Sequence, residues 1–359
     1  AGVTGLTTAL LLTRKTAAHI TIVAKHLPGD TALEYTSPWA AANFVPIGES
    51  EDSKEGIWEK ATWAELYRLA VEVPEAGVHI QGVDKVTYKR NEDEEKGLNN
   101  WFKSFVPEVR SAPIIALYRF LRDDELPPFA DWGLYYKTLA LDPVQYMFYL
   151  KSVLLRTGRV RFIRKTLSHI REAFDVTGEK VDAVFNCSGL LSAKLGGVMD
   201  GNIVPVKGQL VIVQNEPGGM YGISGGDWDE NESVYIIARP HAGGTAIGGS
   251  SHAGTWDGTE DTELSKRMLE RALRICPQMV KPGEGVEGLK VVRHVVGLRP
   301  SRVGGPRIER ELLDGDEKLK VIHSYGAGGF GYQASYGMAA DAVALLSEAS
   351  DVLVVRSKL

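Results

Sequence analysis

Two glycine-rich turns carry residue types suited to an anionic cofactor. Ala1-Gly2-Val3-Thr4-Gly5-Leu6 fits the second half of a G-x-G-x-x-G pattern, whose first glycine would stand ahead of Ala1. In that pattern Gly2 lets a pyrophosphate approach the backbone, and Gly5 lets a helix pack closely on a strand. The anion then sits at the helix N-terminus, where free N–H groups and the dipole favour it. The acidic ribose ligand expected ~20 residues further on is missing, because Ala24, Lys25 and His26 stand there. A basic residue at that place suits a 2′-phosphate, which keeps NADP open. The second turn, Val321-Ile322-His323-Ser324-Tyr325-Gly326-Ala327-Gly328-Gly329-Phe330-Gly331, leads from a strand into a helix bearing Gln333, Ser335 and Gly337. Its amides could face a flavin pyrimidine or a substrate; the plainer alternative is a tight structural loop.

Other reactive types are scattered. Arg299, in Gly-Leu-Arg-Pro, offers a permanently charged planar fork that suits a buried carboxylate better than lysine does, although surface ion pairing is the commoner use. Tyr235 in an apolar strand reads most simply as a core aromatic with its hydroxyl at a polar edge, and His323 as a hydrogen-bonded strand-end histidine. Gly222-Ile223-Ser224-Gly225-Gly226 matches the G-x-S-x-G hydrolase elbow, but that elbow needs a strand before it and a helix after it. Pro217-Gly218-Gly219 and Gly226-Asp227-Trp228-Asp229 flank it instead, so a loop is expected and a hydrolase is not. Cys187 and Cys276 are too few for a disulfide framework or a cysteine-rich zinc site, and no metal is expected. Ser357-Lys358-Leu359 is the tripeptide read by the peroxisomal import receptor, so the expected location is the peroxisome.

These residues need elements to hold them. Thr7–Leu12 reads as helix and His19–Ala24 as a buried parallel strand, half of a βαβ unit. Helices are expected over Gly56–Val71, Pro143–Thr157, Thr262–Cys276 and Gln333–Glu348. Strands are expected at Val160–Ile163, Ala183–Asn186, Lys207–Gln214, Val234–Ile237, Gly244–Gly249 and Leu319–Ser324. Dinucleotide-type elements thus flank a β-rich middle. The fold class is α/β, a Rossmann-type domain (1–48, 144–200, 288–359) with a second, antiparallel β-rich domain (49–143, 201–287). In 359 residues, 41 Lys and Arg stand against 46 Asp and Glu, a net charge of −5 that leaves no electrostatic footprint for nucleic acid. No apolar run reaches the ~18–20 residues that span a bilayer, so no membrane partner is expected.

The second turn, taken with several blocks in the same order, resembles the D-amino-acid oxidase family. Ser37-Pro38-Trp39-Ala40-Ala41-Ala42-Asn43 is similar to its flavin-facing loop, Phe185-Asn186-Cys187-Ser188-Gly189 to its central strand end, and Lys207-Gly208-Gln209 to the strand that follows. Tyr235-Ile236-Ile237, Gly248-Gly249-Ser250 and Gly297-Leu298-Arg299-Pro300-Ser301-Arg302 are similar to its substrate-domain blocks. The likeness spans almost the whole chain, and Ser-Lys-Leu fits its peroxisomal members.

That resemblance implies FAD as cofactor, and a D-amino acid and O₂ as substrates. Imino acid, ammonia and H₂O₂ would form by hydride transfer from the α-carbon to flavin N5. It implies that Arg299 holds the substrate α-carboxylate and that Tyr235 donates to it. Tyr221 would be a second, lid-like tyrosine, the Gly329 carbonyl would accept from the substrate amine, and Gln333 would be a polar neighbour. Flavin contacts are implied at Gly2, Gly5, Ser37, Ala41, Asn43, Thr166, Ser188, Gly189, Gly328, Gly331, Tyr332 and Gln333. A homodimer stays open. Lys25–His26 and Ser324 depart from the family's pattern. D-Aspartate oxidases, which resemble this family, carry Arg directly after the Gly-Gly-Thr block, where this chain has Ser251. Neutral D-amino acids are therefore expected over D-aspartate unless Arg239 or Arg302 supplies the charge.

Overall fold

The Ala/Leu-rich stretch behind Gly2 forms helix α1 (Val3–Lys15), which buries Val3, Leu6, Ala9 and Leu10 and ends on Arg14 and Lys15, cations that suit a helix C-terminus. The β-branched run after it is strand β1 (Ile20–Ala24). The computed structural model describes residues 1–80, 84–92, 118–226, 228–239 and 243–346. Helix α2 (Lys54–Glu72) is capped by Ser53, whose hydroxyl accepts from the Gly56 N–H, and it buries Trp58, Trp63, Leu66 and Leu69. Five short strands follow: β2 (Val78–His79), β3 (Asp84–Lys89), β4 (Tyr118–Phe120), β5 (Trp132–Lys137) and β6 (Ala140–Leu141). Helix α3 (Pro143–Arg156) opens on a proline behind an Asp142 cap, as a helix start should. Strand β7 (Val160–Arg164), the single turn α4 (Glu172–Asp175) and strand β8 (Val184–Asn186) come next.

The second half is built mostly of strands: β9 (Ile203–Val213), β10 (Met220–Ile223), β11 (Glu232–Arg239), β12 (Gly244–Ser250) and β13 (His252–Ala253). Helix α5 (Thr262–Ile275), capped by Asp261, precedes β14 (Val291–Arg302), β15 (Arg307–Leu312), β16 (Lys320–Tyr325) and helix α6 (Ser335–Ala344). The expected helix end at Glu348 lies outside the described residues.

A nine-stranded sheet runs β13-β9-β12-β11-β10-β3-β5-β4, with β14 also paired to β9; every pairing in it is antiparallel except β10 with β3. Strand alternation gives this sheet two apolar faces. One packs on α5 through Val211, Val213, Val234, Ile236, Met268 and Leu269. The other carries Leu210, Ile212, Ile237, Ala246 and Val295, with Trp39, Ala41 and Tyr235 against them. The α/β half has the parallel pair β1–β7 and the sheet β15-β16-β8, in which β16 and β8 are parallel. Helices α1, α2, α3 and α6 share its core through Leu6, Leu66, Tyr146, Leu150 and Tyr336. Among the described residues, β1 and β8 do not pair with each other, and a cleft extends between them.

Two segments sit in the other half from the one expected. Strand β14, placed by sequence with the nucleotide segments from 288 onward, pairs with β9 at eleven positions from Val291↔Val213 to Arg302↔Ile203. Helix α2, placed with the β-rich part from 49 onward, packs in the helical core against α6. The apolar stripe of α2 matches α6, and β14 had no strand signal strong enough to overcome Pro300.

Candidate active site

A cleft of ≈ 1650 Å³ lies between the two halves and continues into the space between β1 and β8. It exceeds the ~300–1,000 Å³ typical of a drug-sized ligand, so it accommodates something larger than a single small metabolite.

The upper wall begins at α1. No side chain caps this helix at Gly2, no acidic residue stands in its first turn, and the Val3 N–H is met by Ser37 Oγ at 3.0 Å. The remaining first-turn N–H groups form an anion-ready end. A Cβ on Gly2 would fall 2.7 Å from Ser37 Oγ, and one on Gly5 3.4 Å from Cys187 Cβ at the end of β8, so helix and strand meet as the glycine pattern requires. The loop 35–43 is fastened at several points. Tyr35 donates to Ala1 O at 2.7 Å, Thr36 Oγ1 to Leu298 O at 2.7 Å, and Tyr332 to Ser37 O at 2.9 Å. Buried Arg239 donates to Ala41 O at 3.1 Å and Ala40 O at 2.9 Å, so its charge serves the loop and not a substrate.

Arg299 and Tyr235 also line the cleft. The Arg299 guanidinium lies over Gly208, where a Cβ would come within 2.7 Å of it, and its Nη1 donates to Ser250 O at 2.8 Å. Among the described residues no carboxylate pairs with it, so a cation with most of its five donors free faces the cleft. The Tyr235 ring crosses Gly248 and Gly249, where a Cβ would fall 2.5 Å from ring or hydroxyl atoms. Three glycines thus form the floor on which anchor and tyrosine lie. The glycine-rich turn closes the third side: Gly328 N donates to Pro300 O at 2.9 Å, and a Cβ on Gly329 would stand 3.7 Å from Arg299 Cδ.

The structure brings together nearly all the residues singled out by sequence. Gly2, Gly5, Ser37, Ala41, Asn43, Thr166, Ser188, Gly189, Tyr235, Arg299, Gly328, Gly329, Gly331, Tyr332 and Gln333 line this one cleft. Tyr221 is the exception. It pairs with Ile236 across β10 and β11, which turns its ring to the α5 face, where its hydroxyl accepts from Gln278 Nε2 at 3.0 Å. It cannot be a lid over the cleft in this arrangement. Gln333 has its amide committed to protein: Nε2 donates to Val45 O and Glu59 Oε1, and Oε1 accepts from Val45 N. Its role is to hold the loop after Phe44 against α6.

Glu59, which sequence reasoning missed, completes that clamp. It is fully buried and accepts from Ile47 N and Gly48 N; burial raises its pKa above the ordinary carboxylate value. Its signal was the helical spacing with Thr62, Leu66 and Leu69 on one face of α2. Glu34 was missed too: it lines the cleft beside the end of β1 and binds Lys25 Nζ at 2.7 Å and His26 Nε2 at 2.9 Å. The Lys25 charge is thereby engaged, and nothing favours a 2′-phosphate there.

The other expectations are settled by position. His323 is buried between Asn186 and Glu311, at 3.1 Å from each, and burial lowers its pKa; it is absent from the cleft lining. Ser224 Oγ accepts from Arg90 N just past the end of β10, and the described residues behind it form no helix, so they build no nucleophile elbow. Arg302 pairs with Asp200 at 2.8 Å. Ser251 is exposed and outside the cleft lining, so the expected preference for neutral side chains loses the residue on which it rested. Ser357-Lys358-Leu359 lies outside the described residues.

The residues present fit a flavin dinucleotide. Two buried polar atoms on the cleft lining, Asn43 Nδ2 and Ser324 Oγ, have no partner among the described residues, and the uncapped α1 is open to an anion. Comparison with known proteins agrees. A family model described as FAD dependent oxidoreductase (DAO) matches residues 1–345. A D-amino-acid oxidase of Fusarium vanettenii is 38% identical over 352 residues, covering 97% of this chain and 95% of its own. One of Schizosaccharomyces pombe is 36% identical over 347 residues, covering 96% and 94%. The solved glycine oxidase of Bacillus cereus superposes with a TM-score of 0.70 at 19% identity, covering 99% of this chain and 98% of that one. The chain therefore belongs to the FAD-dependent oxidoreductase family.

Proposed function

We propose that this chain oxidises D-amino acids, neutral ones included, to imino acids that hydrolyse to 2-oxo acids and ammonia, with O₂ as the final acceptor and H₂O₂ as product. The observation that carries the reading is an Arg299 guanidinium with no carboxylate partner among the described residues, beside Tyr235 in a cleft that the uncapped N-terminus of α1 also lines. FAD supplies the two-electron acceptor. The chain's own residues do the rest by placement.

Arg299 offers a planar pair of donors to an α-carboxylate, a charge-assisted and directional bond. The Tyr235 hydroxyl stands over Gly248 and Gly249 as a further donor to the same group. With the carboxylate so held, the amine is directed to the Gly328–Gly329 turn, and the α-hydrogen is presented to the cofactor end of the cleft. Holding reactants in one geometry removes translational and rotational entropy from the barrier, and the apolar surround of Leu210, Ile237 and Val295 limits water. No side chain is required as a general base.

The test is anaerobic. D-Alanine added to the purified holoprotein bleaches the flavin absorption band, and L-alanine does not. A protein that takes up no FAD and binds NADPH would overturn the reading. We further propose delivery to peroxisomes through Ser357-Lys358-Leu359, where a peroxide producer stands beside catalase, with the import receptor as partner. A reporter ending in these residues enters peroxisomes and stays cytosolic once Leu359 is removed; unchanged import after that deletion would mean another route.

A further inference from the structure

Strand β3 reads Asp84-Lys85-Val86-Thr87-Tyr88-Lys89, and its alternation separates two faces. Val86 and Tyr88 pack in the cluster that α5 covers. Lys85 therefore points to the other face, the face of Tyr235, between Tyr136 of β5 and Met220 of β10. It is only 8% exposed and lines the cleft, yet no hydrogen bond or carboxylate partner meets its ammonium among the described residues.

A buried cation without an anion is costly. Burial draws the pKa of Lys85 down to about 8, which leaves the charge largely in place at neutral pH. The strand register sets how far it stands from the substrate anchors. Tyr235 pairs with Gly222, and Gly222 with Thr87, two residues along β3 from Lys85. Two inter-strand spacings and two residues of rise put the Cα atoms of Lys85 and Tyr235 about 12 Å apart, within the combined reach of the two side chains. Between them Gly222 contributes no side chain, and a Cβ there would meet only Val234 O, at 3.7 Å, among the described residues. Arg299 already answers an α-carboxylate, so a second unpaired cation in the same cleft answers a second anion. Arg239 and Arg302 are spent on backbone carbonyls and on Asp200.

We propose that Lys85 determines specificity at the side-chain end of this cleft by taking the side-chain carboxylate of an acidic D-amino acid, so that D-glutamate or D-aspartate is accepted beside neutral substrates. The proposal rests on the oxidase reading only for the word substrate; the second anion subsite is a property of binding. Two measurements on the holoprotein separate the two. In the first, flavin absorbance is titrated with glutarate and with butyrate, neither of which can be oxidised as an amino acid. Wild type binds glutarate at least tenfold more tightly, Lys85→Met removes that difference and Lys85→Arg retains most of it. Equal binding of glutarate and butyrate by wild type overturns the proposal, whatever the enzyme oxidises. In the second, the ratio of kcat/KM for D-glutamate to that for its neutral isostere D-glutamine falls at least tenfold in Lys85→Met. An unchanged ratio overturns the proposal, even if both activities decline together. Loss of D-alanine turnover in wild type with glutarate preference intact would instead sink the oxidase reading and leave the subsite standing.

Discussion

Replacing Arg299 by alanine lowers kcat/KM for D-alanine by about 30-fold to several thousand-fold, ~2–5 kcal/mol, the range for truncating one partner of a desolvated charge pair. The magnitude follows from the surroundings. The guanidinium lies over Gly208 and spends one bond on Ser250 O, and among the described residues no carboxylate competes for it. Without it, a substrate carboxylate entering the cleft gives up water for a single tyrosine hydroxyl. Arg299→Lys recovers little of the loss, because a point charge cannot reproduce a planar two-bond contact. FAD content and melting temperature should stay near wild type in both variants, since the side chain supports no core. Wild-type turnover of D-alanine by Arg299→Ala would remove Arg299 from the substrate site.

Gly337→Leu is expected to damage the fold severely. Helix α6 approaches α2 so closely that a Cβ at position 337 would lie 2.2 Å from Trp58 Cα and 2.6 Å from Trp58 O. Those are backbone atoms of a helix whose Trp58 ring is almost wholly buried, so neither partner can step aside cheaply. Overpacking of this kind costs about 3 kcal/mol or more, and the melting temperature should fall by at least about 5 °C. Because α6 follows directly on Tyr332 and Gln333, which hold the loops around Ser37 and Val45, FAD retention should fall as well. A melting temperature within one degree of wild type would mean that the two helices are not in such close contact.

Much of this arrangement is legible in the residues, and what is not has identifiable physical causes. Helix α5 announces itself by the spacing of Leu264, Met268, Leu269 and Ala272, and β1 by an unbroken β-branched run. Arg299 and Tyr235 came from the resemblance of short blocks to the D-amino-acid oxidase family; by type alone they read as a surface ion-pair residue and a core aromatic. Tyr221 was misplaced because face depends on strand register: one residue along β10, Gly222 pairs with Tyr235 and shares its face of the sheet, whereas Tyr221 pairs with Ile236 on the α5 face. The sequence carries no mark of which neighbour a strand will take. Strand β14 escaped notice because its twelve residues include Arg293, Arg299, Pro300 and Arg302, and its partner β9 lies some ninety residues earlier. Glu59 is a charged residue on a helix, which ordinarily means solvent; only the loop it caps explains its burial. Lys85 shares the polar face of an alternating strand with Thr87 and Lys89, which ordinarily means solvent, and alternation alone could not say that this face is the cleft.

Strand β14 is paired with β9 along its length, and at its far end Ser301 bridges to Ala327 of the glycine-rich turn while Arg302 reaches Asp200. One continuous strand therefore ties the substrate anchor to the cofactor wall. A hinge that swung the two halves apart would have to break the Ser301–Ala327 bridge at the end of a strand held straight by β9, so the catalytic geometry is rigid before any substrate arrives. Entry and product release become a task for surface segments, with opening energies well below that of the strand pair. Amide exchange along Val206–Val211 should accordingly be among the slowest in the protein, unaltered by substrate, while turnover proceeds many times within the lifetime of a single β14 amide proton.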